Sequence, residues 1–295
     1  KQINSFSVNF EDKGYDESYY SNLVSKKYNT KHHNISLTQK EFLENLETII
    51  KIKDVPISIP HEYALFALSK KMKGIVKVVL SGEGADECFG GYSRVQSSPF
   101  DFLKGTFIQN NCNFNMIKKL FKLNSNLNYS KDNFLNFFLD RYKWFSIDEA
   151  SDVCSKNFLS HFKIDSIYKN WSEDLADKPN SNFYDLVLYY FQKKHLPCLL
   201  DRLDTMTMAN SIEARVPFLN HDLIQFINSL PFNFKIRWIS NFHKFSSIFS
   251  SSEKFAEKAN INKYLLRKAS EKYLPQEICR RKKLGFPLPM DKWVE

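Results

Sequence analysis

One short stretch of the chain has residue types and spacing suited to phosphate and metal chemistry. Between Ser81 and Glu87 it sets Gly82 and Gly84 among three carboxylates, Glu83, Asp86 and Glu87. Glycines let the backbone approach a ligand with no Cβ in the way, and N–H groups at a helix start favour anions such as phosphate. Phosphate and carboxylate repel each other, so the mixture makes chemical sense with a divalent cation between them. The same residues also suit an acidic, glycine-rich surface loop after a core strand. The pattern alone leaves both readings open.

The elements that must position this stretch can be read on either side of it. Val76 to Leu80 is an apolar, β-branched run, the pattern of a central strand buried on both faces. Upstream, Ile3 to Phe10 reads as a strand, Glu17 to Lys27 as a helix and Asn34 to Leu37 as a strand. Thr38 opens a helix reaching Ile52, with Glu41 placed to complete a capping box, and Glu62 to Met72 has helical spacing. Strands separated by helices of this length predict a doubly wound parallel sheet that binds ligands at the C-terminal ends of its strands. Ser81 to Asp86 would occupy such an end. From about Phe100 the chain reads as helices, over Phe134 to Phe145, Tyr184 to Lys193, Leu199 to Ala209, Leu223 to Leu230 and Lys263 to Tyr273. Their many Phe and Tyr side chains are expected in the core rather than on a cofactor. Ile108 to Asp132, rich in Asn, Lys and Ser, reads as an insertion.

Bulk properties narrow the function classes. The 295 residues are 43% hydrophobic, enough for one large domain or two small ones. The net charge of +9 invites a nucleic-acid reading, but the basic residues are spread out and the densest cluster, Arg280 to Lys283, is four long. No nucleic-acid partner is expected. Cys88, Cys112, Cys154, Cys198 and Cys279 are widely spaced with no CxxC pair, which fits reduced thiols in a cytoplasmic protein. No apolar run approaches the ~20 residues that cross a bilayer, and no signal peptide is visible.

The string LSGEGADECFGGYSR, Leu80 to Arg94, resembles the second nucleotide motif of the asparagine synthetase family, in its ATP-dependent synthetase half. Further matches follow the family's order. They are Phe6 to Phe10 with Tyr15 to Glu17, Thr30 to His33, Asp54 to Ile57, Asp204 to Leu219, Lys263 to Arg267, and Leu274-Pro275 to Gly285-Phe286. The resemblance covers nearly the whole chain and is weak from about Phe100 to Asn182. It implies a sheet of the adenine-nucleotide α-hydrolase/ATP-pyrophosphatase type followed by a mainly helical part. The chain would then be a single domain over 1–295, with a nucleotide-binding α/β part at 1–100 and a helical part at 101–295.

The activity it implies is amidation of a carboxylate through an acyl-adenylate, with ATP and Mg²⁺ as cofactors and aspartate as the favoured acceptor. By resemblance Ser81 and Gly82 contact the nucleotide, Val8 lies against adenine, and Asp86 is a Mg²⁺ ligand. Glu83 matches a residue essential for the acyl-adenylate step and suited to be the base for the amine. Lys263 matches a lysine that neutralises phosphate charge. Taken alone, Val8 reads as core, Lys263 as a solvated helix lysine, Glu87 as a helix cap, and His32 and His33 as structural. Asp204, Glu213 and Arg215 read as an ion-pair network under the site. The family often has Arg where Thr205 stands and Asp where Asn220 stands, and Asn220 cannot form a full ion pair with Arg215. The lactam-forming relatives carry tyrosine at the position of Glu83, so glutamate favours amination by ammonia.

The resemblance also implies parts outside this sequence. A first nucleotide loop reading Ser-Gly-Gly-x-Asp-Ser, and before it a glutaminase domain supplying ammonia, are expected upstream of Lys1 in a protein perhaps twice as long. The 295 residues alone are expected to be inactive, and a homodimer is among the expected assemblies. Two alternatives accompany this reading: an amidotransferase acting on a sugar acid in surface-polysaccharide synthesis, and a non-catalytic homologue.

Overall fold

Alternation of apolar residues with hydroxyl and imidazole side chains decides how the first two strands are used. In this computed structural model, which describes residues 2–10, 14–111, 121, 129–144, 147–161, 164–176, 182–283, 285 and 288–293, the chain divides into two compact units. Residues 1–84, 195–224 and 265–295 make the first, and residues 85–194 and 225–264 the second.

In the first unit β1 (Asn4–Phe10) and β2 (Lys31–Leu37) pair in parallel, from Asn4↔Lys31 to Phe10↔Leu37, and are joined by α1 (Ser18–Tyr28). Strand side chains alternate between faces. On one face Phe10, Ile35 and Leu37 enter a core with Phe42 and Ile49 of α2 (Gln39–Lys53), Tyr63, Ala64 and Phe66 of α3 (His61–Met72), and Met206 of the Leu196–Met208 helix. On the other face Ser5 and Ser7 bracket the His32 ring, 2.9 Å from Nδ1 and 3.1 Å from Nε2, and Ser7 donates to Asn34. Ser21 of α1 donates to Ser7, so α1 covers a hydroxyl network and buries none of its own residues fully. His33 stacks on Phe6 with ring centroids 4.8 Å apart. Both histidines therefore pack the sheet. At the start of α2 the Thr38 hydroxyl accepts from the Glu41 N–H and donates to the Glu41 carboxylate. The cap forms, although Glu41 meets the hydroxyl rather than the Thr38 N–H of a full capping box.

The last strands of this unit are short. β3 (Val78–Leu80) pairs in parallel with β4 (Glu213–Arg215), in the register Val78↔Glu213 to Leu80↔Arg215. The sequence predicts a strand buried on both faces here, and the structure differs: Val78 is 44% and Leu80 74% exposed. A continuous apolar run reports that a strand is suited to burial. Among the described residues no element covers these two side chains.

The second unit is built on helices. After α4 (Ala85–Phe89), Phe102 of the Ser98–Asn111 helix, Phe134, Phe137 and Phe138 of the Phe134–Tyr142 helix, and Leu186, Val187 and Tyr190 of the Phe183–Tyr190 helix form one buried cluster. The aromatic residues of these helices thus serve the core as expected, whereas Phe226 and Tyr273 in the later segments are exposed. A smaller cluster gathers Phe255, Ala256 and Ala259 with Phe100 and Trp238. β5 (Arg237–Trp238) and β6 (Asn260–Ile261) pair antiparallel. Most of the Ile108 to Asp132 segment lies outside the described residues.

The protein is mixed α/β and mainly helical, with its described strands in three two-stranded ribbons. Among the described residues no helix is long and apolar enough to cross a membrane. Cys88, Cys154, Cys198 and Cys279 are reduced thiols, and Cys112 lies outside the described residues.

Candidate active site

The first segment of the first unit ends in the turn that carries Ser81, Gly82 and Glu83. Ser81 continues the β3 ladder, its N–H donating to the Arg215 carbonyl at 2.8 Å. Its hydroxyl accepts from the Glu83 N–H at 3.3 Å, a serine turn that fixes where the next side chain starts. Gly84 has φ +88°, and a Cβ there would overlap the Leu219 side chain. Glycine is demanded at 84 by the chain's own packing. Gly82 differs, because a Cβ built on it meets nothing within 4 Å among the described residues and its φ is not in the left-handed region.

Glu83 is aimed by a residue distant in sequence. Arg202, on the Leu196–Met208 helix, donates from Nη2 to Glu83 Oε1 at 3.2 Å, with both side chains largely buried. Arg202 Nε is buried with no acceptor among the described residues. The sequence reading missed Arg202. An isolated arginine on an amphipathic helix carries no local sign that it will meet a glutamate 119 positions away.

The second unit holds Asp86 and Lys263. Their side chains pair, Lys263 Nζ lying 2.9 Å from Asp86 Oδ1, and both are partly exposed. A Cβ at Gly91 would overlap the Asp86 carboxylate, so a glycine gives that side chain its place. Lys263 stands in a left-handed turn, φ 49°, with its N–H 3.3 Å from the Gly90 carbonyl. The helix expected from Lys263 begins one residue later, at Tyr264. The lysine is therefore a turn residue, not a solvated helix lysine. Glu87 lies in the first turn of α4, 1% exposed, and accepts from the Tyr92 hydroxyl at 2.7 Å. That contact is one observed use of its carboxylate. Next to it, burial first and the Glu87 charge second push the Cys88 thiol from 9.0 up to about 11, which keeps it protonated and inert.

The remaining candidates resolve one by one. Val8 pairs with Ile35 and packs at the rim of the first unit's core. The three-membered network expected of Asp204, Glu213 and Arg215 is not formed among the described residues. Arg215 Nε pairs with Glu213 at 2.8 Å, two positions apart on one strand face, while Asp204 is exposed on its helix. Asn220 accepts from the Leu223 N–H at 3.2 Å and so caps the His221–Ser229 helix, a task that needs no partner arginine. The structure thus brings Ser81 to Glu83 in one unit and Asp86 to Lys263 in the other.

Chemically, the first group offers a backbone turn with an open glycine and an anchored carboxylate. The second offers a carboxylate oxygen and an ammonium, both partly exposed. Among the described residues no group of three or more His, Cys, Asp or Glu is placed to hold a metal ion. That leaves Asp86 as a single hard-oxygen donor.

Comparison with known proteins gives the chain a family. The family model described as asparagine synthase matches residues 1–295. Asparagine synthetase [glutamine-hydrolyzing] 1 of Bacillus subtilis is 26% identical over 99% of this chain and 43% of its own length. Asparagine synthetase [glutamine-hydrolyzing] 3 of the same organism is 26% identical over 92% of the chain and 36% of its own length. Amidase chyE of Penicillium rubens is 23% identical over 98% of the chain and 44% of its own length. The chain thus spans less than half the length of these curated relatives. With a family model matched from end to end, the chain belongs to the asparagine synthase family.

Proposed function

We propose that this chain is the ATP-dependent synthetase part of a glutamine-fed ligase that converts L-aspartate to L-asparagine through an acyl-adenylate, releasing AMP and pyrophosphate. The observation that carries the reading is Gly82. Packing or backbone conformation explains Gly84 and Gly91, whereas nothing among the described residues occupies the space a Cβ would take at 82. That open backbone, beside the Ser81 N–H ladder and the Glu83 carboxylate, suits the close approach of a nucleotide.

In the proposed reaction a carboxylate oxygen of the acceptor attacks the α-phosphorus of ATP and pyrophosphate leaves. Ammonia then attacks the acyl carbon and AMP leaves. Ser81 and Gly82 bind the nucleotide, with Val8 on the adenine side. Lys263 balances phosphate charge, and Glu83 takes the proton from the incoming nitrogen. The donor set fits Mg²⁺, which is usually held by one or two carboxylates together with substrate phosphates and water, so Asp86 is its proposed protein ligand. Bound there, the ion would spread the charge of the phosphates as pyrophosphate forms.

The parallel β1–β2 and β3–β4 pairs are taken as parts of one doubly wound sheet of the ATP-pyrophosphatase type, within a nucleotide-binding part at 1–100 and a helical part at 101–295 that shapes the acceptor pocket. The ammonia would come from a glutaminase domain of the full-length protein, working in the cytoplasm, with a homodimer as its proposed assembly. The second reading changes only the acceptor. A relative named an amidase matches nearly the whole chain, so the family is not tied by name to one product, and a sugar acid is the alternative carboxylate. Pyrophosphate exchange into ATP by the full-length natural protein separates them: exchange with L-aspartate supports the first, and exchange only with D-glucuronate supports the second. The 295 residues alone are expected to release no pyrophosphate. Release at the full-length rate would contradict the need for further parts.

A further inference from the structure

The pairing between Arg202 and Glu83 is incomplete in an informative way. On a guanidinium, Nε–H and the Nη2 hydrogens share one edge, and a carboxylate usually takes both in a two-pronged contact. Here Glu83 Oε1 accepts from Nη2 at 3.2 Å, while Nε on the same edge is buried without an acceptor among the described residues. Glu83 Oε2 accepts no hydrogen bond from any described residue. A two-pronged contact would satisfy Nε and occupy both oxygens. The structure holds the one-pronged contact instead and leaves a buried donor unmet, an uncommon and costly arrangement that calls for a reason.

The surrounding turn supplies the restraint. The Ser81 hydroxyl fixes the Glu83 N–H, and Gly84, pressed on by Leu219, fixes the chain on the other side. With its backbone held and Oε1 engaged, Glu83 presents one oxygen to whatever arrives. We propose that Arg202 is the positioning residue for Glu83, anchoring Oε1 so that Oε2 stays open to the incoming nitrogen. This rests on the reading of Glu83 as the base. In that step the nitrogen bonds to the acyl carbon, its proton passes to Oε2, and the carbon–oxygen bond to AMP breaks. Arginine suits the task because it stays charged throughout and cannot itself take the proton. A lysine would keep the charge and lose the fork.

The test uses the full-length natural protein with ATP, Mg²⁺, ammonium chloride, and L-aspartate or D-glucuronate, whichever supports pyrophosphate exchange. Arg202→Met should lower the kcat of amide formation by roughly 100-fold, the lower range for loss of a well-placed base, while exchange falls far less and the KM for ammonium stays within about threefold. Arg202→Lys should recover at least about tenfold of that loss by restoring a charged donor to Oε1. Equal losses in both half-reactions, or no difference between the lysine and methionine variants, would mean a structural role and overturn the proposal. Should the methionine variant fail to fold, Arg202→Lys against wild type carries the same comparison of the two half-reactions. Glu83→Ala separates the two layers. If it keeps wild-type amide formation, the base reading fails and this inference with it. If it loses amide formation while Arg202→Met does not, only the positioning role fails. Absence of exchange with either carboxylate in the wild type would overturn the ligase reading beneath both.

Discussion

Glu83 and Asp86 stand three residues apart in sequence, one in each compact unit, and each meets a cation of a different kind. Glu83 is held by an arginine in the middle of a long helix, with both side chains largely buried. Asp86, on the short α4, is met by a lysine in a left-handed turn just before a helix, and the pair is slightly more exposed. A guanidinium is rigid, permanently charged and weakly hydrated. An ammonium is a mobile point charge that water readily reclaims. In the proposed reaction the first pair would hold a carboxylate still, and the second would let one go when phosphate and metal compete for its members.

That contrast can be broken by substitution, and the largest effects fall on the lysine pair. Lys263→Met should lower pyrophosphate exchange and amide formation together, by roughly 100-fold or more, since both half-reactions involve phosphate charge. Asp86→Asn should do the same but recover partly as Mg²⁺ is raised, which a titration of exchange against Mg²⁺ would reveal. If Lys263→Met instead spared exchange and lost amidation, as expected for Arg202→Met, the two pairs would not differ in task.

The glycines sharpen the comparison at intermediate scale. Gly84→Ala should destabilise by about 3 kcal/mol, from overlap with Leu219 and a positive φ that alanine resists, read as a lower urea midpoint. Gly82→Ala should leave stability within about 0.5 kcal/mol and weaken exchange. An exchange rate unchanged in Gly82→Ala would remove the observation on which the nucleotide reading stands.

The smallest expected effect concerns Cys88 of the second unit. Its folded thiol titrates at about 11 against 9.0 unperturbed, so its stabilising share is present below pH 9 and is lost between pH 9 and 11, when only the unfolded thiol ionises readily. Lys235, driven below its usual range chiefly by burial, works in the opposite direction, so the comparison must be differential. The stability difference between wild type and Cys88→Ala should shrink by roughly 2 kcal/mol from pH 8.5 to 11, followed by chemical unfolding. A constant difference would place the thiol in a more polar setting than its burial indicates.

Local chemistry made much of the fold legible in advance. β1 and α1 begin and end within a residue or so of the expected positions, and Thr38 starts α2 as its side chain predicts. β2 was legible only from Asn34, because Lys31, His32 and His33 carry no apolar alternation, and Ser5 and Ser7 give His32 a polar face that periodicity cannot anticipate. β4, β5 and β6 are two or three residues long and owe their form to distant partners. The run at Val76 to Leu80 announced a strand but not its exposure, since exposure depends on what else is packed nearby. The same limit applies to the site. Glycines and carboxylates marked the loop from its own residues, whereas Arg202 needed the fold to bring it there.

The most direct test of the central claim is pyrophosphate exchange into ATP by the full-length natural protein, measured with L-aspartate and Mg²⁺ and without ammonia or glutamine. The account predicts exchange that requires the carboxylate and collapses in Lys263→Met. A folded protein that binds neither nucleotide nor acceptor, and shows no exchange with any carboxylate, would contradict it and make the chain a non-catalytic member of its family.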